Sequence, residues 1–162
     1  MKVSVIIPCF QSESTIQNVV NYLDISLSEE VTGSFEIILI NDGSTDRTLE
    51  KIREICKTNK NVKGLNLSKN FGQPNATLAG LAFADGDIIF YCDDDVHNPP
   101  FSLRKLIDKI DEGYDVVFGK TSNNAASKVS KIGTNLNKLM SYLLLNKPKG
   151  MHFGNLWACR RY

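Results

Sequence analysis

The sequence predicts one α/β domain with a mostly parallel sheet flanked by helices, and three observations lead to this prediction. Apolar runs of strand length alternate with stretches of helical periodicity, a pattern typical of parallel strands joined by right-handed crossovers. The chain has 162 residues, which is enough for a single domain with its own core. Hydrophobic residues make up 42% and charged residues 23%, and both fractions are ordinary for a globular protein.

The predicted elements alternate from the first residues onward. The strands are short, apolar and rich in β-branched residues, and the helices carry apolar residues on one face. The predicted strands cover 2–7, 35–40, 62–67, 87–92 and 114–119. The predicted helices include 15–23, 49–56, 75–84 and 103–110. Polar loops follow several strands, and those loops hold the candidate functional residues.

Three consecutive carboxylates, Asp93 to Asp95, come directly after the apolar strand 87–92, and His97 follows shortly after them. Ligands of open α/β sheets bind beyond the carboxyl ends of the strands. Adjacent like charges are costly unless a cation neutralises them. A hard divalent ion prefers oxygen ligands and can also bind diphosphate oxygens. We therefore predict a metal site here; an acidic turn that caps the helix after Pro99 is the alternative.

Two other loops leave the carboxyl ends of predicted strands. Phe10 offers an aromatic surface for a nucleobase, and Asp42 offers an acceptor for a base N–H or a ribose hydroxyl. Together with a metal they would form a nucleoside-diphosphate site. The chain has no Walker A sequence, and residues 8–11 stand where a dinucleotide fold has its glycine-rich loop. These absences disfavour NAD-binding and P-loop proteins.

The charge distribution is uneven along the chain. Residues 1–119 hold 11 of the 19 Lys and Arg and all 18 Asp and Glu, a net −7, whereas residues 120–162 hold the other 8 basic residues, a net +8. This difference indicates an anionic partner or a lysine-rich solvated surface. Within 127–145 an apolar stripe lies beside Lys128, Lys131 and Lys138. That pattern fits a helix packed on the domain or a basic amphipathic helix at a membrane interface.

The cysteines and the hydropathy favour a cytoplasmic protein. The four cysteines are scattered without a CxxC pair, so we interpret them as reduced thiols and not as a disulfide framework or zinc site. We find no signal peptide before the first strand and no apolar run of transmembrane length.

Three motifs, in this order and spacing, resemble the family 2 glycosyltransferases, which have the Rossmann-like GT-A fold. The matching segments are 5–10 with Glu13, 40–48 and 93–95. Segments 70–72 and 93–100 are similar to the branch that includes dolichol-phosphate mannosyltransferase and bacterial polyprenyl-phosphate sugar transferases. The resemblance implies a nucleotide-sugar-binding core in 1–119 and a basic acceptor-side segment in 120–162, together a truncated catalytic domain.

The resemblance also implies roles for individual residues. The nucleotide-binding residues would be Pro8, Phe10, Glu13, Asp42, Asp93 and Asp94. Asp93 and Asp95 would be catalytic, and both would hold Mg²⁺ or Mn²⁺ with His97, whose imidazole favours Mn²⁺. Lys120, Arg160 and Arg161 would lie on the acceptor side.

The implied reaction is sugar transfer with inversion from a UDP- or GDP-type nucleotide-diphospho-sugar. A sugar hydroxyl needs a base as it attacks, whereas a polyprenyl phosphate is already anionic, and no acidic residue follows Asp115. We therefore expect a polyprenyl-phosphate acceptor at the cytoplasmic face of a membrane, and no nucleic-acid partner. A saccharide hydroxyl in capsule, lipopolysaccharide or exopolysaccharide synthesis is the alternative acceptor, and a non-catalytic nucleotide-sugar-binding module is the alternative of another class.

Overall fold

The computed structural model describes residues 1–94, 103–119 and 156–161, which form six strands and four helices. The strands are β1 (Lys2–Cys9), β2 (Ser34–Asn41), β3 (Val62–Asn66), β4 (Ile88–Cys92), β5 (Val116–Phe118) and β6 (Leu156–Arg160). The helices are α1 (Ile16–Glu30), α2 (Thr48–Thr58), α3 (Gln73–Phe83) and α4 (Leu103–Asp111). The predicted α/β fold with a mostly parallel sheet is confirmed.

The six strands form one sheet in the order β3-β2-β1-β4-β6-β5. The first four of these are parallel, and β6 runs antiparallel to both β4 and β5. Cys9 at the end of β1 is paired with Asn41 at the end of β2, and Ile6 is paired with Tyr91 in β4. The loops after β1, β2 and β4 therefore leave the sheet side by side, as the sequence predicts.

Helices cover both faces of the sheet, which explains why its central strands read as continuous apolar runs. Alternate residues of β1, β2 and β4 pack with α1, α2 and α4 on one face, and the other face packs against α3. Gly80 of α3 lies so close to β1 that an added Cβ would be 3.2 Å from the Cβ of Ile6. This close approach lets α3 pack directly on β1 and β2.

Strand β6 is the main difference from the sequence prediction. The sequence of 120–155, which precedes it, has no strand signals, and the apolar run 156–159 is too short to be recognised as a strand from the sequence. It forms a strand by pairing with β4 and β5. Because β6 inserts between β4 and β5, the predicted strand 114–119 pairs with β6 instead of β4. The predicted helix in 127–145 lies outside the described residues. Within the described ranges, no helix has both the length and the hydrophobicity to cross a membrane.

Candidate nucleotide-sugar site

The loop after β1 is bonded to the turn after β2. The backbone N–H of Gln11 donates to Ser44 Oγ at 3.2 Å, and its side-chain amide donates to Thr45 Oγ1 at 2.7 Å. The N–H of Ser12 donates to Thr48 Oγ1 at 2.8 Å. Gln11 has a φ of 58°, which is uncommon for a residue other than glycine. These three bonds hold the loop in that conformation and fix the position of Phe10 beside it.

Asp94 connects the end of β4 to the same loop. Its Oδ2 accepts a hydrogen bond from the backbone N–H of Phe10 at 3.3 Å and another from the hydroxyl of Ser12. Ser12 is buried, whereas Phe10 is 47% exposed. The predicted nucleotide-binding residues Phe10 and Asp94 are thus brought together at the carboxyl edge, with the aromatic ring available to a ligand.

Asp93 is held by two side chains on the other face of the sheet. Its Oδ1 accepts hydrogen bonds from the Tyr91 hydroxyl at 2.8 Å and from Gln73 Nε2 at 2.9 Å. Gln73 Nε2 also donates to the Tyr91 hydroxyl oxygen at 2.6 Å. Burial and the neighbouring Asp93 carboxylate raise the pKa of Tyr91, so this hydroxyl keeps its proton as a donor.

Asp42 lies at the base of the turn after β2, almost fully buried. Its backbone N–H donates to the carbonyl of Cys9 at 2.9 Å, and its Oδ1 accepts the N–H of Phe71 at 2.8 Å. The next residue, Gly43, has a φ of 65°, and a Cβ there would be 2.3 Å from the backbone nitrogen of Asn70. The turn therefore packs directly on the loop that carries Phe71, a second aromatic residue that is 45% exposed.

Glu13, in the loop between β1 and α1, is exposed and contacts the residues just before α2. Its Oε2 accepts the backbone N–H of Arg47 at 2.8 Å, and its own N–H donates to Asp46 Oδ2 at 3.3 Å. Asp46 in turn accepts the N–H and the hydroxyl of Thr48. Burial opposes ionisation of Asp46, but the bonds from Thr48 outweigh it and lower its pKa. One oxygen of the Glu13 carboxylate thus binds the backbone at the start of α2, and its predicted contact with a nucleotide stays a prediction.

The described carboxylates suit a hard divalent cation. One oxygen of Asp93 and one of Asp94 are occupied by protein donors, while Asp93 Oδ2 and Asp94 Oδ1 accept no hydrogen bond from the described residues. Carboxylate oxygens of this kind are ligands for Mg²⁺ and Mn²⁺. The described residues alone contain no group of three potential ligands. The other predicted ligands, Asp95 and His97, lie outside the described ranges.

Arg160 and Arg161 lie beside the start of β4, at the opposite end of that strand from the carboxylates, and their acceptor-side role stays a prediction. Arg160 is paired with Ile88 at the start of β4, about 13 Å along the strand from its end at 3.3 Å per residue. Its guanidinium donates to the Ile110 carbonyl at 2.7 Å, and the N–H of Arg161 donates to the Asp87 carbonyl at 2.9 Å. The sequence prediction missed the antiparallel strand that carries them there.

The remaining predicted residues are placed as follows. Pro8 is buried in β1 opposite Ile40, directly below the loop that carries Phe10. Lys120 lies outside the described residues. Sequence reasoning missed Ser12, Gln73 and Tyr91. Of these, only Tyr91 could have been found from the sequence. It stands two positions before Asp93, and alternate residues of a strand lie on the same face.

The chain matches the model of glycosyl transferase family 2 over residues 4–160. It belongs to this family. An uncharacterized glycosyltransferase of Synechocystis sp. is 34% identical to the chain over 119 residues, which are 73% of this chain and 37% of that protein. This family 2 chain therefore spans little more than a third of that relative.

Solved structures support the same family and fold. Residues 1–349 of S. aureus TarS are 29% identical, with a TM-score of 0.60 over 78% of this chain and 38% of that one. TarS has also been crystallised with UDP and with UDP-GlcNAc, at 27% and 26% identity. Glucosyl-3-phosphoglycerate synthase from Mycobacterium tuberculosis, crystallised with Mn²⁺, UDP and phosphoglyceric acid, is 23% identical with a TM-score of 0.71 over 98% of this chain and 55% of that one, a likeness of fold. The GT-A fold is confirmed, whereas the dolichol-phosphate mannosyltransferase branch stays a prediction.

Proposed function

We propose that this family 2 chain is the donor-binding part of an inverting glycosyltransferase and binds a UDP- or GDP-sugar at the carboxyl edge of its sheet. The observation that carries the proposal is the direct bonding of three loops at that edge. Asp94 after β4 accepts from Phe10 and Ser12 after β1, and Gln11 donates to Thr45 after β2. The complexes of TarS with UDP and UDP-GlcNAc support a uridine nucleotide.

Each loop would contribute a different recognition chemistry. Phe10 offers an exposed ring on which a base can stack, and Asp42 offers a buried carboxylate as a hydrogen-bond acceptor. Asp93, with Asp95 and His97, would hold Mg²⁺ or Mn²⁺. An ion bound there supplies positive charge beside the leaving diphosphate when the acceptor attacks the anomeric carbon.

The proposed acceptor is a polyprenyl phosphate, bound at the cytoplasmic face of a membrane. One feature of the sequence supports it: residues 120–149 contain six lysines. An anionic phosphate needs positive charge and no deprotonation to attack. That charge would come from these lysines, Lys120 among them, together with Arg160 and Arg161.

A thermal-shift panel of UDP, GDP, CDP and dTDP with Mn²⁺ tests the donor site. A ligand that binds only the native state stabilises it by about 2.7 kcal/mol at a hundred times its Kd. We expect UDP or GDP to raise the unfolding midpoint most, and the shift to fall in Asp93→Asn. If no nucleoside diphosphate shifts the midpoint, the proposal is wrong. If a nucleotide sugar binds but its sugar is neither transferred nor slowly hydrolysed, the chain is a binding module and not an enzyme.

Vesicles that contain polyprenyl phosphate test the acceptor. We expect sugar transfer to the lipid phosphate in preference to a free saccharide. Replacing Lys128, Lys131 and Lys138 with Gln should weaken binding to anionic vesicles, since each basic residue near the surface contributes about 1 kcal/mol. Nucleotide binding should stay intact in this variant. Transfer to a saccharide hydroxyl alone, with polyprenyl phosphate present, would overturn the lipid acceptor and leave the donor site standing.

A further inference from the structure

We infer that Tyr91 and Gln73 are positioning residues for Asp93: they hold one of its carboxylate oxygens and leave the other for the ligand. The inference rests on the proposed function, because it assigns a purpose to Asp93 that only a bound donor or metal would reveal. It adds two residues for which the sequence motifs give no role.

The three side chains form a closed triangle of hydrogen bonds. Gln73 Nε2 donates one hydrogen to the Tyr91 hydroxyl oxygen at 2.6 Å and the other to Asp93 Oδ1 at 2.9 Å. The Tyr91 hydroxyl donates its own hydrogen to the same Oδ1 at 2.8 Å. An amide nitrogen has two hydrogens and a phenol has one, so every donor in the triangle is used. Asp93 Oδ1 is thereby occupied twice, whereas Oδ2 has no partner among the described residues.

The side chain of Tyr91 is itself fixed by packing, so its hydroxyl can hold Asp93 in one orientation. Tyr91 is 7% exposed, and its ring lies parallel to that of Trp157 at 5.2 Å between ring centres. Trp157 belongs to β6 and is paired with Tyr91 across the sheet. Gln73 is the first residue of α3, which packs on β1 and β2. The orientation of Asp93 therefore depends on β6 and α3, two elements outside the family motifs.

Fixing one oxygen has a chemical consequence. A free carboxylate rotates and can chelate with both oxygens, and ordering it on binding costs entropy. With Oδ1 held by two donors, Asp93 offers a single oxygen in a preset position. Donors to an ionised acceptor also form stronger hydrogen bonds than neutral pairs do. Loss of either donor should therefore weaken the hold on the ligand without removing the carboxylate.

The variants Tyr91→Phe and Gln73→Leu test the inference, with Tyr114→Phe as the control. Tyr91→Phe keeps the ring stacked on Trp157 and removes only the hydroxyl. Tyr114 is an exposed tyrosine beyond α4, so its variant loses the same group away from the site. Calorimetry of the 162-residue chain would measure the Kd of UDP, or of GDP if that binds better, over a range of Mn²⁺ concentrations.

We expect Tyr91→Phe and Gln73→Leu each to weaken binding about five- to tenfold, because the ligand must then order the Asp93 carboxylate itself, and to raise the Mn²⁺ concentration for half-maximal binding. The double variant should lose less than the product of the two, because both bonds end on Asp93 Oδ1. A merely structural role would lower the unfolding midpoint and leave the Mn²⁺ requirement unchanged, which would overturn the inference. Wild-type Kd in both variants would overturn it too, while the proposed function stands. If the wild type binds neither nucleotide, both are wrong.

Discussion

The hydroxyl of Ser12 donates a hydrogen bond to Oδ2 of Asp94 and thereby fastens the loop after β1 to the end of β4. The same residue donates its backbone N–H to Thr48 at the start of α2. Ser12 is 2% exposed, so water cannot replace these bonds. One small residue, through its side chain and its backbone, thus joins three elements of the candidate site, although it belongs to none of the carboxylate motifs that reveal the site in the sequence.

Ser12→Ala should weaken both the fold and the site. The substitution leaves Asp94 Oδ2 with the Phe10 N–H alone, and a lost hydrogen bond to a buried or charged group costs about 1–3 kcal/mol. We expect a decrease of that size in the free energy of unfolding, measured by urea denaturation, and weaker nucleotide binding. Ser14→Ala is the control because Ser14 is exposed, and its effect should stay within about 0.5 kcal/mol. Equal losses in the two variants would show that the Ser12–Asp94 bond contributes little.

Gly43→Ala should be more damaging than Gly113→Ala, although both glycines have a positive φ. Gly43 has φ 65° and a Cβ there would meet the backbone of Lys69 and Asn70 at 2.4 Å or less. Gly113 has φ 104° with nothing within 4 Å of an added Cβ. The positive φ costs about 1–2 kcal/mol at either position. The excess loss of unfolding free energy in Gly43→Ala therefore measures the contact between the two loops, and equal losses would contradict it.

Asp42→Asn should lower nucleotide affinity more than it lowers stability. The asparagine oxygen can still accept the Phe71 N–H that Asp42 Oδ1 accepts at 2.8 Å. Its amide nitrogen, however, replaces an acceptor with a donor, and a mispaired buried group costs about 1–3 kcal/mol. We expect an affinity loss of that size in calorimetry with UDP or GDP. Unchanged affinity would limit Asp42 to holding the turn against the Phe71 loop.

The carboxyl edge could be predicted from the sequence because general rules locate it. The central strands are buried on both faces and read as apolar runs, and the loop residues that follow them, such as Phe10, Asp42 and Asp93, must meet at one edge. Ser12 and Gln73 could not be predicted in the same way. Their partners are 82 and 20 residues away in the sequence, and only the folded sheet brings them together.

Strand β6, unlike the central strands, could not be predicted from the sequence. Its apolar residues are too few to identify a strand by pattern, and its place between β4 and β5 is set by pairing with them. The charge of the basic residues at its end is evident from the sequence, but their position depends on the direction of β6, which no local signal gives.

Glu36 is a buried carboxylate at the amino edge of the sheet, away from the candidate site. Its Oε1 accepts the Ser4 hydroxyl at 2.6 Å and the Asp85 N–H at 2.9 Å, and Lys63 Nζ lies 2.6 Å from its Oε2. Burial alone would raise its pKa, but the bonds from Lys63 and Ser4 outweigh burial and lower the pKa below its usual 4.5. The folded protein therefore holds Glu36 in its ionised form more strongly than the unfolded chain does.

This pKa difference predicts a loss of stability in acid. A carboxyl group whose pKa is lower in the folded state stabilises the protein above its unfolded pKa, and the contribution disappears as the pH falls through the folded pKa. We expect Glu36→Gln to reduce the free energy of unfolding at pH 7 by about 1–3 kcal/mol. This range is lower than for a fully buried ion pair, because the Lys63 side chain is 45% exposed and water screens its charge. The deficit should shrink below pH 4.5. Denaturant titrations from pH 3 to 7 would measure it, with the exposed Glu50→Gln as control. A deficit that is constant with pH would mean that the lost contacts of Glu36, and not its charge, account for the effect.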